Sequence, residues 1–164
     1  MIRAAVLTAS DRSFSGERED ASGALLEEKI REMGGSVLEK VVVSDEKENI
    51  ESEIIRLVDQ VKVDLVLTTG GTGLAPRDQT PDATRAVMER EVPGMAEAMR
   101  AASLEKTPHA MLSRAVCGIR GSALIINLPG SPKAVEENFL VVSRSIPHAL
   151  ETIKGEVTDC HNNS

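Results

Sequence analysis

Hydrophobic residues along the chain fall into two kinds of segment: short continuous apolar runs, and longer runs with helical spacing. The continuous runs predict buried strands, because a strand covered on both faces has no polar side. They lie at 2–8, 37–43, 65–68, 115–119 and 123–127. Apolar residues recur at helical spacing over 21–33, over 47–61 and in the region after Thr80. This alternation predicts an α/β fold with a mostly parallel sheet in a single domain.

The last two predicted strands are separated only by Arg120, Gly121 and Ser122. A parallel crossover needs roughly a dozen residues, so these two strands, if paired, are antiparallel. We expect 115–119 to be the reversed strand and to lie at an edge of the sheet. The strand at 123–127 then runs in the same direction as the one at 65–68.

The third strand runs through a glycine-rich loop into a helix start, with the sequence TTGGTGLAPRDQTP at 68–81. Glycines let backbone N–H groups approach an anion, and Asp78 beside the loop suggests a divalent metal. The spacing fits neither a Walker A motif nor G-x-G-x-x-G, so a tight turn with positive φ is the structural alternative. Thr80 is expected to be the N-cap of the next helix, with Pro81 at its first position.

A second turn follows the strand at 123–127, with the sequence LPGSP at 128–132. Ser131 can cap a helix that begins at Pro132, and a helix N-terminus attracts anions. An ordinary capped helix start is the alternative. Ligands of open α/β sheets bind beyond the carboxyl ends of the strands. We therefore expect one rim to carry Ser10, Asp11 and Arg12, Asp45, the glycine loop with Asp78, and the second turn.

Composition and charge narrow the function. The chain has no Trp or Tyr and a formal net charge of −7, which disfavours nucleic-acid binding. Neither an apolar run that could cross a membrane nor a signal peptide is present in the sequence. Two isolated cysteines, Cys117 and Cys160, predict a reduced, cytoplasmic protein. The Glu-rich stretches at 17–20, 27–32 and 46–53 are expected to be solvated faces and loops.

Several segments, in this order, resemble the molybdopterin adenylyltransferases. These are the Mog-type enzymes of molybdenum cofactor biosynthesis, related to the gephyrin G domain and to bacterial MoaB proteins. The matching segments are 10–12, 43–45, 68–73, 76–81, 111–114 and 127–132. The resemblance covers a domain at 1–155 and leaves 156–164 as a polar tail. It implies a three-layer α/β/α homotrimer, with a higher assembly left open, that hands its product to a molybdenum-insertion enzyme.

The resemblance also implies a reaction, in which an adenylyl group passes from Mg-ATP to the terminal phosphate of molybdopterin and pyrophosphate is released. Asp45 and Asp78 correspond to the two aspartates that the family needs, and we expect them to act through Mg²⁺. The expected substrate-binding residues are Ser10, Asp11, Arg12, Thr69, Gly70, Gly71, Thr72, Gly73, Arg77, Ser103, Ser113, Pro129, Gly130, Ser131 and Lys133. Among these, the charges of Arg12, Arg77 and Lys133 would offset phosphate.

Two other functions stay open at this point. One is a non-catalytic, MoaB-like trimer that binds a pterin or serves as a scaffold. The other is a hydrolase of nucleotide phosphates at a related site. Turnover of nucleotide separates the first from the enzyme, and consumption of ATP without a pterin acceptor marks the second.

Overall fold

The structure is a computed structural model that describes residues 1–156. Cys160 and all but the first residue of the expected tail lie outside this range. The strands are β1 Arg3–Ala9, β2 Ser36–Val43, β3 Leu65–Thr69, β4 Arg90–Glu91, β5 Cys117–Arg120 and β6 Ala123–Leu128. The α-helices are α1 Asp11–Phe14, α2 Ala21–Glu32, α3 Lys47–Ile55, α4 Thr80–Val87, α5 Pro93–Leu104, α6 Pro132–Val142 and α7 Ile146–Ile153. None of these helices has the length and apolar character that a membrane crossing requires.

The strands form one six-stranded sheet in the order β2-β1-β3-β6-β5-β4. The pairs β1–β2, β1–β3 and β3–β6 are parallel, and β5 runs antiparallel to both of its neighbours. The mostly parallel sheet with one reversed strand is therefore confirmed. The expected edge position of this strand is wrong, because β4 pairs with Gly118 and Ile119 and forms the edge. A two-residue exposed strand has no hydrophobic pattern by which it could be predicted.

Alternate residues of the central strands point into two separate cores. Ala4 and Val6 pack with apolar residues of α2, α5, α6 and α7. Ala5 and Leu7 pack on the other face, against α3, the turn that follows it and α4. The sheet is thus the middle of three layers, and the strands are continuously apolar because both of their faces are covered.

Side-chain caps set the starts of two helices that border the rim. The carboxylate of Asp20 accepts the N–H of Gly23 at 2.9 Å and starts α2. The expectation that 17–20 is a solvated stretch is wrong at this residue, whose carboxylate also accepts the hydroxyl of Thr8 at 2.7 Å. The predicted cap of α6 is confirmed, since the hydroxyl of Ser131 accepts the N–H of Ala134 at 3.3 Å.

Thr80 does not cap α4. It is the first residue of the helix, and Gln79 before it makes no side-chain cap. The N–H of Thr80 donates to the carbonyl of Gly71 at 3.2 Å, and this bond turns the residue towards the glycine loop. Its hydroxyl is fully buried, and no hydrogen-bond partner for it lies within residues 1–156.

A buried amide joins β3, β6 and α4. The side-chain nitrogen of Asn127 donates to the hydroxyl oxygens of Thr68 and Thr84, each at 2.9 Å. The side-chain oxygen of Asn127 accepts the N–H of Val116 at 3.2 Å. The hydroxyl of Thr84 in turn donates to the carbonyl of Thr80 at 2.9 Å. Such a satisfied network fixes the start of α4 against the ends of the strands.

Replacing Thr80 with Val removes a buried hydroxyl that is unpaired in the described structure and keeps nearly the same shape. An unpaired buried hydroxyl costs about 1–3 kcal/mol, so we expect the free energy of unfolding of Thr80→Val to equal or exceed that of the wild type. Urea denaturation followed by circular dichroism measures this difference.

Thr84→Val is the matched control, because the same change now removes a hydroxyl that pairs with Asn127 and with the carbonyl of Thr80. We expect the free energy of unfolding of this variant to fall by about 1–3 kcal/mol. Equal losses in the two variants would contradict the assignment of an unpaired Thr80 hydroxyl.

Candidate functional site

The carboxyl ends of four parallel strands lie level at one rim of the sheet. Thr8 of β1 is in register with Thr69 of β3, and Thr69 is in register with Leu128 of β6. Ala9 at the end of β1 is likewise in register with Val43 at the end of β2. The loops that follow these strands therefore leave from the same line, as the topology rule predicts.

The glycine loop fits between neighbouring backbones because two of its residues have no side chain. A Cβ on Gly70 would lie 2.4 Å from the carbonyl oxygen of Ala9, and a Cβ on Gly71 would lie 2.4 Å from the hydroxyl of Thr80. Both residues have positive φ, 93° and 68°, which disfavours any other residue type. The N–H of Gly70 donates to the carbonyl of Leu128 at 3.2 Å and so joins the loop to the end of β6.

Unused backbone N–H groups are concentrated at this rim. Within residues 1–156, no acceptor is found for the N–H groups of Gly71, Thr72, Gly73, Gly130 and Ser131. Two carbonyls of the second turn are held by side chains: Pro129 accepts the hydroxyl of Thr69 at 2.7 Å, and Gly130 accepts that of Ser22 at 2.6 Å. Donors without acceptors at two adjoining turns form a site for an anion with several oxygens.

A cavity of about 460 Å³ lies on one side of the glycine loop. It brings together both predicted catalytic aspartates and many of the predicted binding residues, namely Ser10, Asp45, Thr69, Gly70, Gly71, Asp78, Gly130 and Ser131. The carboxylate of Asp20 also lines it and was missed, because a run of acidic residues gives no sign of which one points inward.

Asp45 is held by a reciprocal pair of hydrogen bonds with Asp11. Each backbone N–H donates to the carboxylate of the other residue, both at 3.0 Å. Partial burial raises the pKa of Asp45 above its ordinary value, and the charges of Asp11 and Asp78 raise it further. The hydrogen bond from Asp11 and the charge of Arg77 act in the opposite direction. The surroundings of Asp45 therefore disfavour its ionised form, and a cation bound nearby would stabilise it.

Asp78 is held by a backbone N–H of its own loop and by the side chain of Arg114, which precedes β5. Its carboxylate accepts the N–H of Ala75 at 3.0 Å. The guanidinium of Arg114 donates to the carbonyls of Asp78 and Gly73, at 2.6 Å and 3.0 Å, while pairing with Asp82. Asp82 thus supports the loop through Arg114.

A second cavity, of about 300 Å³, lies on the other side of the glycine loop. The predicted residues that line it are Thr72, Gly73, Ser103, Ser113 and Pro129. Residues that sequence reasoning missed also line it: Arg100, Lys106, His109, Asn127 and Asn138. One signal in the sequence pointed to Arg100, which is its position directly after the apolar Met99 of a helix that packs on the core. Arg100 and Lys106 bring positive charge to this wall, Arg100 while donating to the carbonyl of Ala115 at 2.8 Å and Lys106 while pairing with Glu137 at 3.1 Å.

The remaining predicted charges lie outside the lining of both cavities. Arg77 pairs with Asp11 and Glu46, and Arg12 lies 3.8 Å from Glu17. Lys133 is exposed in the first turn of α6. The structure therefore separates the expected counter-charges from the residues that form the cavity walls.

The side chains at this rim supply only part of a metal's ligand shell and leave the rest to water and substrate. No cluster of three or more His, Cys, Asp or Glu side chains that could hold a metal occurs in the described part of the chain. Asp45 and Asp78 nevertheless supply two oxygen ligands to one cavity. This donor set fits Mg²⁺, which commonly takes one or two carboxylates and completes its shell with water and substrate phosphates.

The fold and the rim define an α/β protein of three layers with two cavities on either side of a glycine loop. A family model described as a probable molybdopterin binding domain matches residues 5–148. The chain belongs to this family.

Relatives of known structure or curated function agree with this assignment. The chain is 45% identical to molybdopterin adenylyltransferase of Helicobacter pylori strain J99, over 94% of this chain and 89% of that protein. It is 44% identical to gephyrin of Dictyostelium discoideum over 92% of this chain and 22% of that longer protein. The crystal structure of the molybdopterin biosynthesis enzyme MoaB from Thermus thermophilus superposes with a TM-score of 0.89 at 47% identity, covering 94% and 98% of the two chains.

The raised pKa of Asp45 predicts a pH-dependent gain in stability for Asp45→Asn. The amide keeps an oxygen for the N–H of Asp11 but places no charge at this partly buried position. When folding raises the pKa of a carboxyl, the group costs no stability below its unfolded pKa of about 4. Its cost begins as the pH rises above that value and is complete above the folded pKa. We expect the variant to have the higher urea midpoint at pH 7, and the difference to shrink as the pH falls towards about 4.

Asp59→Asn should behave with the opposite sign. Hydrogen bonds from Arg120 hold the pKa of Asp59 below its ordinary value, so its charge stabilises the folded state above the unfolded pKa. This variant should lose stability at pH 7, and the loss should disappear in acid. A lower urea midpoint for Asp45→Asn at pH 7 would contradict the assignment of a destabilising charge.

Proposed function

We propose that the chain is a molybdopterin adenylyltransferase of molybdenum cofactor biosynthesis that uses Mg-ATP. The observation that carries this proposal is the glycine loop, which forms a common wall between two cavities. A transferase for two phosphate-bearing substrates needs two sites that meet where the new bond forms. The names of the relatives support the same assignment.

The larger cavity suits the nucleotide. It offers the unused N–H groups of Gly71, Gly130 and Ser131 to phosphate oxygens, and it carries both carboxylates. Asp45 and Asp78 would hold Mg²⁺ together with the triphosphate. When bound, the metal would neutralise charge on the triphosphate and on the departing pyrophosphate.

The smaller cavity suits the acceptor. Arg100 and Lys106 would offset the charge of its terminal phosphate, and Ser103 and Ser113 would provide hydroxyl groups. Thr72 and Gly73 belong to the same loop as Gly70 and Gly71, so the acceptor phosphate would arrive at the edge of the nucleotide cavity.

The chemistry makes modest demands on side chains. An oxygen of the acceptor phosphate attacks the α-phosphorus of ATP, the bond to the β-phosphate breaks, and pyrophosphate leaves with the electron pair. The nucleophile needs no general base, because a phosphate monoester with a second pKa of about 6 is mostly ionised at neutral pH. The task of the protein is to hold two polyanions in line and to offset their charge.

We place this activity in a cytoplasmic homotrimer. Leu104, Met111 and Leu112 are large apolar side chains that are exposed on the segment beside the smaller cavity. They provide apolar surface for association between copies. The product would pass from this assembly to a molybdenum-insertion enzyme.

Adenylyl transfer is tested directly with purified protein, molybdopterin, Mg²⁺ and ATP labelled at the α-phosphate. We expect Asp45→Asn and Asp78→Asn each to lower the rate of label transfer on the order of 100-fold or more, because each removes a charge that helps hold the metal-bound triphosphate. Asp59→Asn is the matched control, since it neutralises an aspartate that lines neither cavity. Its rate should equal that of the wild type.

The outcomes separate the candidate functions. Binding of molybdopterin by the wild type without label transfer would favour a binding-only relative. Release of labelled nucleotide without a pterin acceptor would favour a hydrolase. A wild-type rate in Asp45→Asn or in Asp78→Asn would show that the replaced carboxylate is not needed for the transfer.

A further inference from the structure

Arg77 is the one cation on the loop that carries Asp78, and a phosphate-binding role is the obvious expectation for it. Its contacts point elsewhere. The Nε and Nη2 atoms donate to the two carboxylate oxygens of Asp11 at 2.9 Å and 2.8 Å. The Nη1 atom donates to the carboxylate of Glu46 at 2.7 Å. Every nitrogen of the guanidinium is therefore already engaged with a carboxylate.

The partner of Arg77 is the residue that holds Asp45. Asp11 accepts the N–H of Asp45 with the same carboxylate that Arg77 grips, and its own N–H donates to Asp45. A chain of contacts thus runs from Arg77 through Asp11 to Asp45. Since Arg77 directly precedes Asp78, this chain ties together the loops that carry the two carboxylates.

The electrostatics explain why such a tie is needed. Asp45, Asp78 and Asp20 line one cavity, and like charges at short range repel. Loops free to relax would let Asp45 and Asp78 move apart. A bidentate arginine–carboxylate pair fixes both distance and orientation, which a single point charge does not.

We infer that Arg77 is a positioning residue that sets the separation of Asp45 and Asp78, and that it does not bind phosphate. This inference rests on the proposed function. Arg77 and Asp11 are about half exposed, so their pair contributes little to global stability and its effect is local. Loss of the tie should misplace the carboxylates while leaving the protein folded.

A double-mutant cycle decides between the two roles. With Arg77 as a positioning residue, Arg77→Gln and Asp11→Asn should each lower kcat for adenylyl transfer on the order of 10- to 100-fold, and the double variant should be no slower than either single one. Both should raise the Mg²⁺ concentration needed for half-maximal rate. With Arg77 as a phosphate ligand, Asp11→Asn would instead leave the KM for ATP unchanged or lower it, because it removes a negative charge.

Two further variants complete the test. Arg77→Lys keeps the charge but loses the paired hydrogen bonds, so it should be as slow as Arg77→Gln. A wild-type rate for Arg77→Lys, or additive losses in the double variant, would overturn the inference. Arg85→Gln removes an exposed arginine that pairs with Glu91 outside both cavities, and it should leave the rate unchanged.

A measurement without substrate separates failure of this inference from failure of the proposed function. The N–H groups of Asp11 and Asp45 each bond to the other carboxylate, so their hydrogen exchange reports the tie directly. Exchange at both amides, followed by nuclear magnetic resonance, should accelerate in Arg77→Gln and in Asp11→Asn but not in Arg85→Gln. Unchanged exchange would overturn the positioning role even if the protein proved not to be a transferase.

Discussion

The register between parallel strands is the constraint on which the rest of the site depends. Because β1, β3 and β6 end at the same level, the loops after them begin within contact of one another. A shift of one strand would break the contact of Gly70 with the carbonyl of Ala9 and its hydrogen bond to Leu128. The buried amide of Asn127 in β6 strengthens this register, since it donates to Thr68 of β3 and to Thr84 of α4.

The loops that leave the ends of these strands bring acidic and basic side chains together. Acidic residues line the larger cavity together with residues of two turns whose backbone N–H groups have no acceptor within residues 1–156. The arginines of this region mostly act within the protein. Arg77 engages Asp11 and Glu46, and Arg114 engages Asp82 and two loop carbonyls. Rigid loops that hold charge in place are what a reaction between two phosphates requires.

Sequence reasoning succeeded where the signal is local or follows from topology. Continuous apolar runs located the main strands, and the rule for strand ends brought Asp45 and Asp78 to one cavity. It failed where the answer depends on distant contacts: Arg77 lies 66 residues from Asp11 and 31 from Glu46, so its partners cannot be read from its neighbours. Thr80 looked like a cap because Pro81 follows it, but its burial beneath Gly71 decides its role. The smaller cavity depends on how α5 packs against α6, which no motif specifies.

The shared wall has a consequence for residence time. A ligand that fills only one cavity is held by one set of contacts, whereas a molecule joined across the glycine loop is held by both. Two weak attachments on one rigid frame act at high effective concentration, so release of one end is followed by rapid rebinding. A molecule joined across the loop would therefore leave more slowly than a ligand that fills one cavity alone.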